Sequence, residues 1–185
     1  SPEGELVLMG TTSSDDFPIT TGAYQEGFLG GGAFAPSGVG VDYLYGSDMI
    51  ITRLAADGGS LVGSTYLGGT DNDGVNTAPD LKFNYADEMR GEVILDDAGN
   101  VVVVSCTDDT DFPYTNLFDF TPSGQCGTFT VLNADLTGLV CGTLISQVSD
   151  EAAYAVDIAS DGSFYVCGGT NSSTLPGMAG WQTAA

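Results

Sequence analysis

Residues 10–20 read GTTSSDDFPIT, and the same pattern returns at residues 105–115 as SCTDDTDFPYT. A shorter copy lies at residues 168–176, which read GGTNSSTLP. Internal repeats of this kind are typical of proteins that stack copies of one supersecondary unit. Because recognition in such proteins usually lies in loops that a rigid scaffold carries, the pattern predicts the fold more directly than the ligand.

A second repeated block follows the first in the chain. Residues 48–67 align without a gap with residues 126–145, so that Leu54 falls on Leu132 and Thr65 on Thr143. The copies differ in length because two insertions, residues 27–47 and residues 71–87, have no counterpart in the other copies.

Each copy predicts four short antiparallel strands joined by tight turns. The turn sequences, such as Asp-Ala-Gly-Asn at residues 97–100, supply residues that tolerate the positive φ of a hairpin. Residues 101–104 are four consecutive valines, which favours a strand that is covered on both faces. The predicted first strands are residues 92–95 and 153–158, and the second strands are residues 100–105 and 163–168. The third strands are residues 49–54 and 128–132, and the fourth strands are residues 61–67 and 139–145. Only residues 81–89 suggest a turn of helix.

In chain order these strands are the last three of one unit, a complete unit, and the first two of a third. Repeated four-stranded antiparallel units are typical of β-propeller blades. The predicted fold is therefore all-β, with antiparallel four-stranded repeats that form part of a β-propeller, incomplete at about two and a half blades. A closed propeller needs about four to eight blades, so we expect further blades in a longer polypeptide or in another chain. A β-sandwich is the alternative fold.

The same reasoning divides the chain into four parts. Residues 1–70 are a partial blade with a long glycine- and aromatic-rich loop, and residues 71–95 hold an inserted loop and the first strand of the next blade. Residues 96–150 are the rest of the central blade, and residues 151–185 are a partial third blade.

The pattern resembles the SBBP-type β-propeller repeats of bacterial exported and surface proteins. The resemblance rests on residues 10–18, on residues 48–54 and on residues 64–69, which read STYLGG. It implies an extracellular or cell-surface location, a link to Bacteroidota and type IX secretion, and a role in adhesion or surface assembly. The two insertions and the four cysteines depart from the family pattern.

The charge of the chain restricts its partners. It has 25 acidic residues, 3 basic residues and no histidine, for a net charge of −22. Such a surface repels nucleic acid and anionic membranes, so we expect neither nucleic-acid binding nor direct membrane insertion. The acidic excess suits solubility in a salty or extracellular setting. Calcium is the one cofactor that it suggests, with Asp71 and Asp73 in an Asp-Asn-Asp-Gly cluster as ligands; an ordinary acidic turn is the alternative.

The four cysteines form no CxxC pair, and without histidine a zinc site is not expected. Cys106 ends a second strand and Cys126 begins the following third strand, so both flank one loop. An exported location would permit a disulfide between them. The alternative is that all four are small buried hydrophobic residues.

No catalytic set is visible in the sequence, and we expect a noncatalytic protein. The absence of histidine excludes serine–histidine triads and histidine bases within this chain. Paired carboxylates of the glycosidase kind stay open, with Glu26, Asp42, Glu88 and Glu92 near the long loops.

The first insertion and its flanks carry the best candidate ligand-binding residues, Tyr24, Phe34, Tyr43 and Tyr45. Aromatic rings among glycines can stack on sugars or seat a protein partner, and they can equally pin a long loop to the scaffold. The expected function is that of a noncatalytic propeller segment whose partners are proteins, such as remaining blades or neighbouring subunits, or glycans. The alternatives are a glycan-binding or glycan-cleaving propeller and a structural subunit of a filament or secretion complex.

Overall fold

The computed structural model describes residues 1, 4–36, 40–84, 86–117 and 123–173. Within these residues the chain forms nine β-strands and two short 3-10 turns, at Pro79–Leu81 and Asp87–Met89. The strands are β1 (Leu6–Thr12), β2 (Asp48–Leu54), β3 (Leu61–Leu67), β4 (Glu92–Leu95), β5 (Val101–Thr107), β6 (Cys126–Leu132), β7 (Leu139–Ile145), β8 (Glu151–Ile158) and β9 (Phe164–Thr170).

The nine strands form three separate antiparallel sheets. The first sheet is β1-β2-β3, the second is β4-β5-β6-β7 and the third is β8-β9. The predicted all-β class and the grouping into three, four and two strands are confirmed. None of these sheets closes on itself within the described residues.

The second sheet lies between the other two and is buried on both faces. Val101 and Val103 belong to a core cluster with Met49, Ile51 and Leu67 of the first sheet. Val102 and Val104 point the other way and pack against Ala153 and Val156 of the third sheet. Because successive side chains of a strand alternate between faces, four valines in a row supply both interfaces.

Tight turns set the register of the hairpins. Between β4 and β5, Asp96 Oδ1 accepts hydrogen bonds from the amides of Ala98 at 2.9 Å and Asn100 at 2.8 Å. Gly99 there has a φ of 79°, which costs little only for glycine. The turn between β8 and β9 keeps the backbone geometry: Gly162 has a φ of 84°, and its amide donates to the Ala159 carbonyl as the Gly99 amide does to the Asp96 carbonyl.

Aligned positions of the repeats make the same hydrogen bonds. The Thr20 amide donates to the Ser64 carbonyl at 3.1 Å, and the Thr115 amide donates to the Gly142 carbonyl at 3.0 Å. A threonine hydroxyl accepts a bond from the amide two residues later in all three copies, at Thr12, Thr107 and Thr170. Leu175 and Pro176 of the third copy lie outside the described residues.

The second insertion interrupts the first strand of its sheet. Asp73 pairs with Thr107 as an isolated bridge, and the chain rejoins the same edge of β5 only at Glu92, which pairs with Val104. The third sheet has a continuous β8 at the corresponding place, with a bulge between Ala153 and Ala155. The insertion therefore replaces a bulge.

The predicted disulfide between Cys106 and Cys126 is not formed, and both cysteines are free and buried. Cys106 pairs with Gly127, whereas Cys126 pairs with Thr107, so the two cysteines project from opposite faces of the sheet. Cys106 packs with Ala78, and burial raises its pKa to about 12. The position of both cysteines beside one loop was therefore not enough to predict a disulfide, because a disulfide also requires side chains that point toward each other.

Candidate functional site

The aromatic residues of the first insertion are used mainly within the fold. Phe34 and Tyr43 pair across a short bridge, and their rings stack with centroids 4.9 Å apart and an interplanar angle of 5°. Tyr43 is only 3% exposed, and its hydroxyl donates to Met89, just after the second insertion, at 3.3 Å. The contact ties the first insertion to the segment that follows the second.

The other two predicted ligand-binding residues lie apart from this pair. Tyr24 is half-buried against the core between the first two sheets, and its amide donates to the Leu136 carbonyl at 2.8 Å. Burial raises the pKa of the Tyr24 hydroxyl. Tyr45 is 70% exposed and is the one member of the set that presents most of its ring to solvent. Ligand binding by the four aromatic residues stays a prediction.

A denser polar site lies where the chain passes from the first sheet to the second. We call it the first junction: residues 68–73 together with the carboxylates of Asp48, Asp109 and Asp111. A Cβ on Gly68 would lie 2.6 Å from Asp73 Oδ2 and 3.0 Å from Asp48 Oδ1. A Cβ on Gly69 would overlap the carboxylates of Asp109 and Asp111. The junction therefore gathers acids from three segments around two glycines.

These carboxylates hold backbone amides. Asp48 accepts bonds from the amides of Leu29 at 2.9 Å and Gly30 at 2.8 Å, and so anchors the first insertion. Asp73 Oδ2 accepts from the Gly69 amide at 2.7 Å, and Asp111 Oδ1 from the Thr70 amide at 3.0 Å. An acid that accepts a backbone amide fixes the course of a loop, so the junction organises two long insertions.

Two buried side-chain oxygens of the junction, Asn72 Oδ1 and Asp73 Oδ1, have no hydrogen-bond partner. Asp73 is fully buried, and its Oδ1 atom accepts no hydrogen bond. Burial raises the pKa of this carboxyl well above its usual range, and the negative charges of Asp48 and Asp109 raise it further. The Thr107 side chain and the Gly69 amide lower the pKa, but by less. Burial likewise raises the pKa of Asp48 and of Asp109. These three carboxyls therefore take up protons more readily than exposed aspartates.

The passage from the second sheet to the third, residues 146–151, is a second junction of the same design. Continuing the ungapped alignment of the two repeated blocks places Gly69 on Gln147 and Asp73 on Glu151. The Gln147 amide donates to Glu151 Oε2 at 2.9 Å, as the Gly69 amide does to Asp73. Glu151 is 1% exposed, and its Oε1 also accepts the Thr170 hydroxyl at 2.8 Å.

The two predicted calcium ligands are not gathered together. Asp71 is exposed, whereas Asp73 is buried against the Gly69 amide. In the described part of the chain, no group of three or more His, Cys, Asp or Glu residues is arranged to hold a metal ion. The side chains of the first junction instead act on backbone amides.

Sequence reasoning found Asp73 and missed its partners. Asp48 lies in one segment, and Asp109 and Asp111 lie together in another; no local motif connects either segment with Asp73. Glu151 could have been predicted from the sequence, because extending the repeat alignment past residue 145 pairs it with Asp73. The signal is an acid at the same place in both copies, four residues after the amide that it accepts.

Two open regions flank the three sheets. A cavity of about 750 Å³ lies between the free edge of β1 and strand β4, lined by Leu6, Val7 and residues 93–99. A groove of about 430 Å³ lies beside β9 on the outer strands of the second sheet, lined by Phe129, Cys141, Ile145, Phe164 and Val166. Each open region lies at the edge of a sheet with fewer than four strands.

Comparison with protein-family models, curated proteins and solved structures found no match for this chain. Among the residues that the structure describes, no helix is long and apolar enough to cross a membrane. The arguments about function therefore rest on the geometry of the junctions, the insertions and the open sheet edges.

Proposed function

We propose that this chain is a noncatalytic segment of a β-propeller in a secreted or cell-surface bacterial protein, where it serves adhesion, binding or surface assembly. The observation that carries the proposal is the position of the two open regions. Relative to the complete second sheet, and within the part of the chain that the structure describes, the first sheet lacks a strand beside β1 and the third sheet lacks two strands beside β9. Cavities occur at both places, as they would if further strands completed each unit.

The packing of the sheets supports the same proposal. The first sheet covers one face of the second, and the third sheet covers part of the other face. A radial series of sheets that pack face to face is the arrangement of propeller blades. The outer faces also carry exposed apolar side chains, including Leu6, Leu8 and Tyr165. Exposed apolar surface of this kind marks contact with other protein.

The arrangement of acids supports a structural role rather than catalysis. The carboxylates of the first junction accept backbone amides of the loops that meet there, and Glu92 accepts the Val156 amide at 2.7 Å across two sheets. A catalytic carboxylate pair needs one member that is free to reach a substrate. Calcium binding stays a separate prediction, which a calcium titration with magnesium as the control would test.

Two measurements on the native protein test the proposal. Labelling intact source cells with an antibody against this chain should detect it at the surface, and light scattering with intact mass should show a particle larger than 18.9 kDa. A stable monomer of 18.9 kDa that remains inside the cell would contradict both parts of the proposal.

A further inference from the structure

The outer strands of the second sheet, β6 and β7, are covered differently on their two faces. On one face, Leu132 and Leu144 are buried against the first sheet, which contributes Met49, Ile51 and Leu67 from β2 and β3. On the other face, Phe129, Cys141 and Ile145 are only partly buried and line the groove. The interface between the second and third sheets therefore continues outward into an uncovered apolar surface.

The groove is bordered by a free strand edge. Strand β5 pairs with β4 on one side and β6 on the other, whereas among the described residues β9, its counterpart by alignment, pairs only with β8. The sequence of β9, FYVCGGT, carries no charge, in a chain with 25 acidic residues. Natural proteins usually protect a free edge with charges, proline or a covering element, and an uncharged, exposed edge is suited to strand pairing.

The lining of the groove has the same character. The described residues that line it carry no charged side chain, and Phe129 and Phe164 form an edge-to-face pair with centroids 5.0 Å apart. Phe164 and Val166 both face this groove from β9. An incoming strand would thus find backbone donors and acceptors along β9 and apolar side chains beneath it.

We propose that β9 and the groove bind an antiparallel β-hairpin of a partner polypeptide. Its first strand pairs with the free edge of β9, as β6 pairs with β5, and its second strand extends the sheet. The hairpin has apolar side chains on the face that meets Phe129 and Ile145. This inference rests on the proposed function, because it names the partner that would complete the third sheet.

The chain contains its own probe for this site. Residues 126–145 form the hairpin β6–β7, and in the second sheet they occupy the place that we assign to the partner in the third. A synthetic peptide of residues 126–145, with Cys126→Ser and Cys141→Ser, can therefore be titrated against the full chain. The same peptide with Thr130→Pro is the matched control: Thr130 pairs with Val103 of β5, and proline there removes an amide from the edge that would pair with β9.

Fluorescence anisotropy of the labelled peptide and hydrogen exchange of the protein provide the readouts. We expect saturable binding, protection of the β9 amides, and at least about tenfold weaker binding of the proline peptide. Val166→Lys places a charge in the groove and should weaken binding by about tenfold or more, whereas Tyr165→Lys, on the other face of β9, should change it less than about twofold. Hydrogen exchange on the wild-type chain keeps the test valid if Val166→Lys does not fold.

Three outcomes overturn the inference. Without binding at about 1 mM peptide, the site does not take such a hairpin, even if surface labelling upholds the proposed function. If the chain dimerises alone and Val166→Lys abolishes the dimer, the occupant is a second copy. If the intact mass shows a longer polypeptide and that polypeptide itself contains such a hairpin, the partner is not a separate chain. Binding without surface location would instead contradict only the proposed function.

Discussion

The two junctions perform the same task with acids of different length. At the second junction, Glu151 accepts both the Gln147 amide and the Thr170 hydroxyl, so each of its oxygens has a partner. At the first, Asp73 accepts the Gly69 amide, but its other oxygen stays unpaired beside the corresponding residue, Thr107. Because aspartate is one methylene shorter, it closes only one of the two bonds.

The surroundings of the two acids differ in the same direction. The first junction packs Asp73 among the negative charges of Asp48 and Asp109, whereas Ser172 occupies the position at the second junction that corresponds to Asp109. The first junction also carries two insertions, which Asp48 and Asp111 help to hold. We infer that the second junction contributes more to the free energy of unfolding, and that the first contributes less because its acids also hold the two insertions.

The largest expected difference comes from removing each acid. Glu151→Ala leaves the Gln147 amide and the Thr170 hydroxyl unpaired in a buried place, so it should lower the free energy of unfolding by about 3 kcal/mol. Asp73→Ala removes one bond together with an unpaired buried carboxylate, so its cost should be about 1 kcal/mol or less. Guanidinium unfolding followed by circular dichroism measures both losses. Equal losses would show that the two acids are equivalent despite their different bonds.

Each acid accepts the amide of one residue, Gly69 at the first junction and Gln147 at the second. Substituting these two residues should give a smaller difference in the free energy of unfolding between the junctions than removing the two acids does. Gly69→Ala would place a Cβ against the carboxylates of Asp109 and Asp111, which must then shift from the amides of Asp71 and Thr70. We expect a loss of about 2 kcal/mol. The matched control is Gln147→Ala, since the second junction already tolerates a side chain there; it should cost about 0.5 kcal/mol or less. Thermal denaturation of both variants tests the contrast, and a neutral Gly69→Ala would show that the acids can move without cost.

The contrast between the junctions also shows how far sequence reasoning reaches. Strands and their grouping were predictable, because hairpin turns and runs such as Val101–Val104 are local signals that recur in each copy. The first junction was not, since Asp48, Asp73 and Asp109 converge only after three distant segments fold. The disulfide prediction failed for a related reason: loop position was considered, but the alternation of side chains along β5 and β6 was not. Tyr43, which is buried, contacts Met89 in the segment after the second insertion, and no local pattern connects these two residues.

The smallest expected effect is the pH dependence of Asp73. Its pKa is raised in the folded state, chiefly by burial, so the folded chain binds this proton more tightly than the unfolded chain. Protonation of this carboxyl thus favours folding. Below its unfolded pKa, about 3.9, the carboxyl does not lower the free energy of unfolding; as the pH rises toward the folded pKa, it lowers that free energy progressively. Asp73→Asn keeps an acceptor for the Gly69 amide but removes the charge.

We therefore expect Asp73→Asn to match the wild type near pH 4 and to be more stable near pH 8, by on the order of 1 kcal/mol. Unfolding midpoints across this range provide the measurement. Glu151→Gln is the matched control: both oxygens of Glu151 accept donors, so an amide nitrogen there must face one of them. That variant should lose stability at neutral pH, and a gain like that of Asp73→Asn would show that Glu151 also bears an uncompensated charge. A loss in Asp73→Asn near pH 8 would instead mean that the aspartate's charge stabilises the first junction.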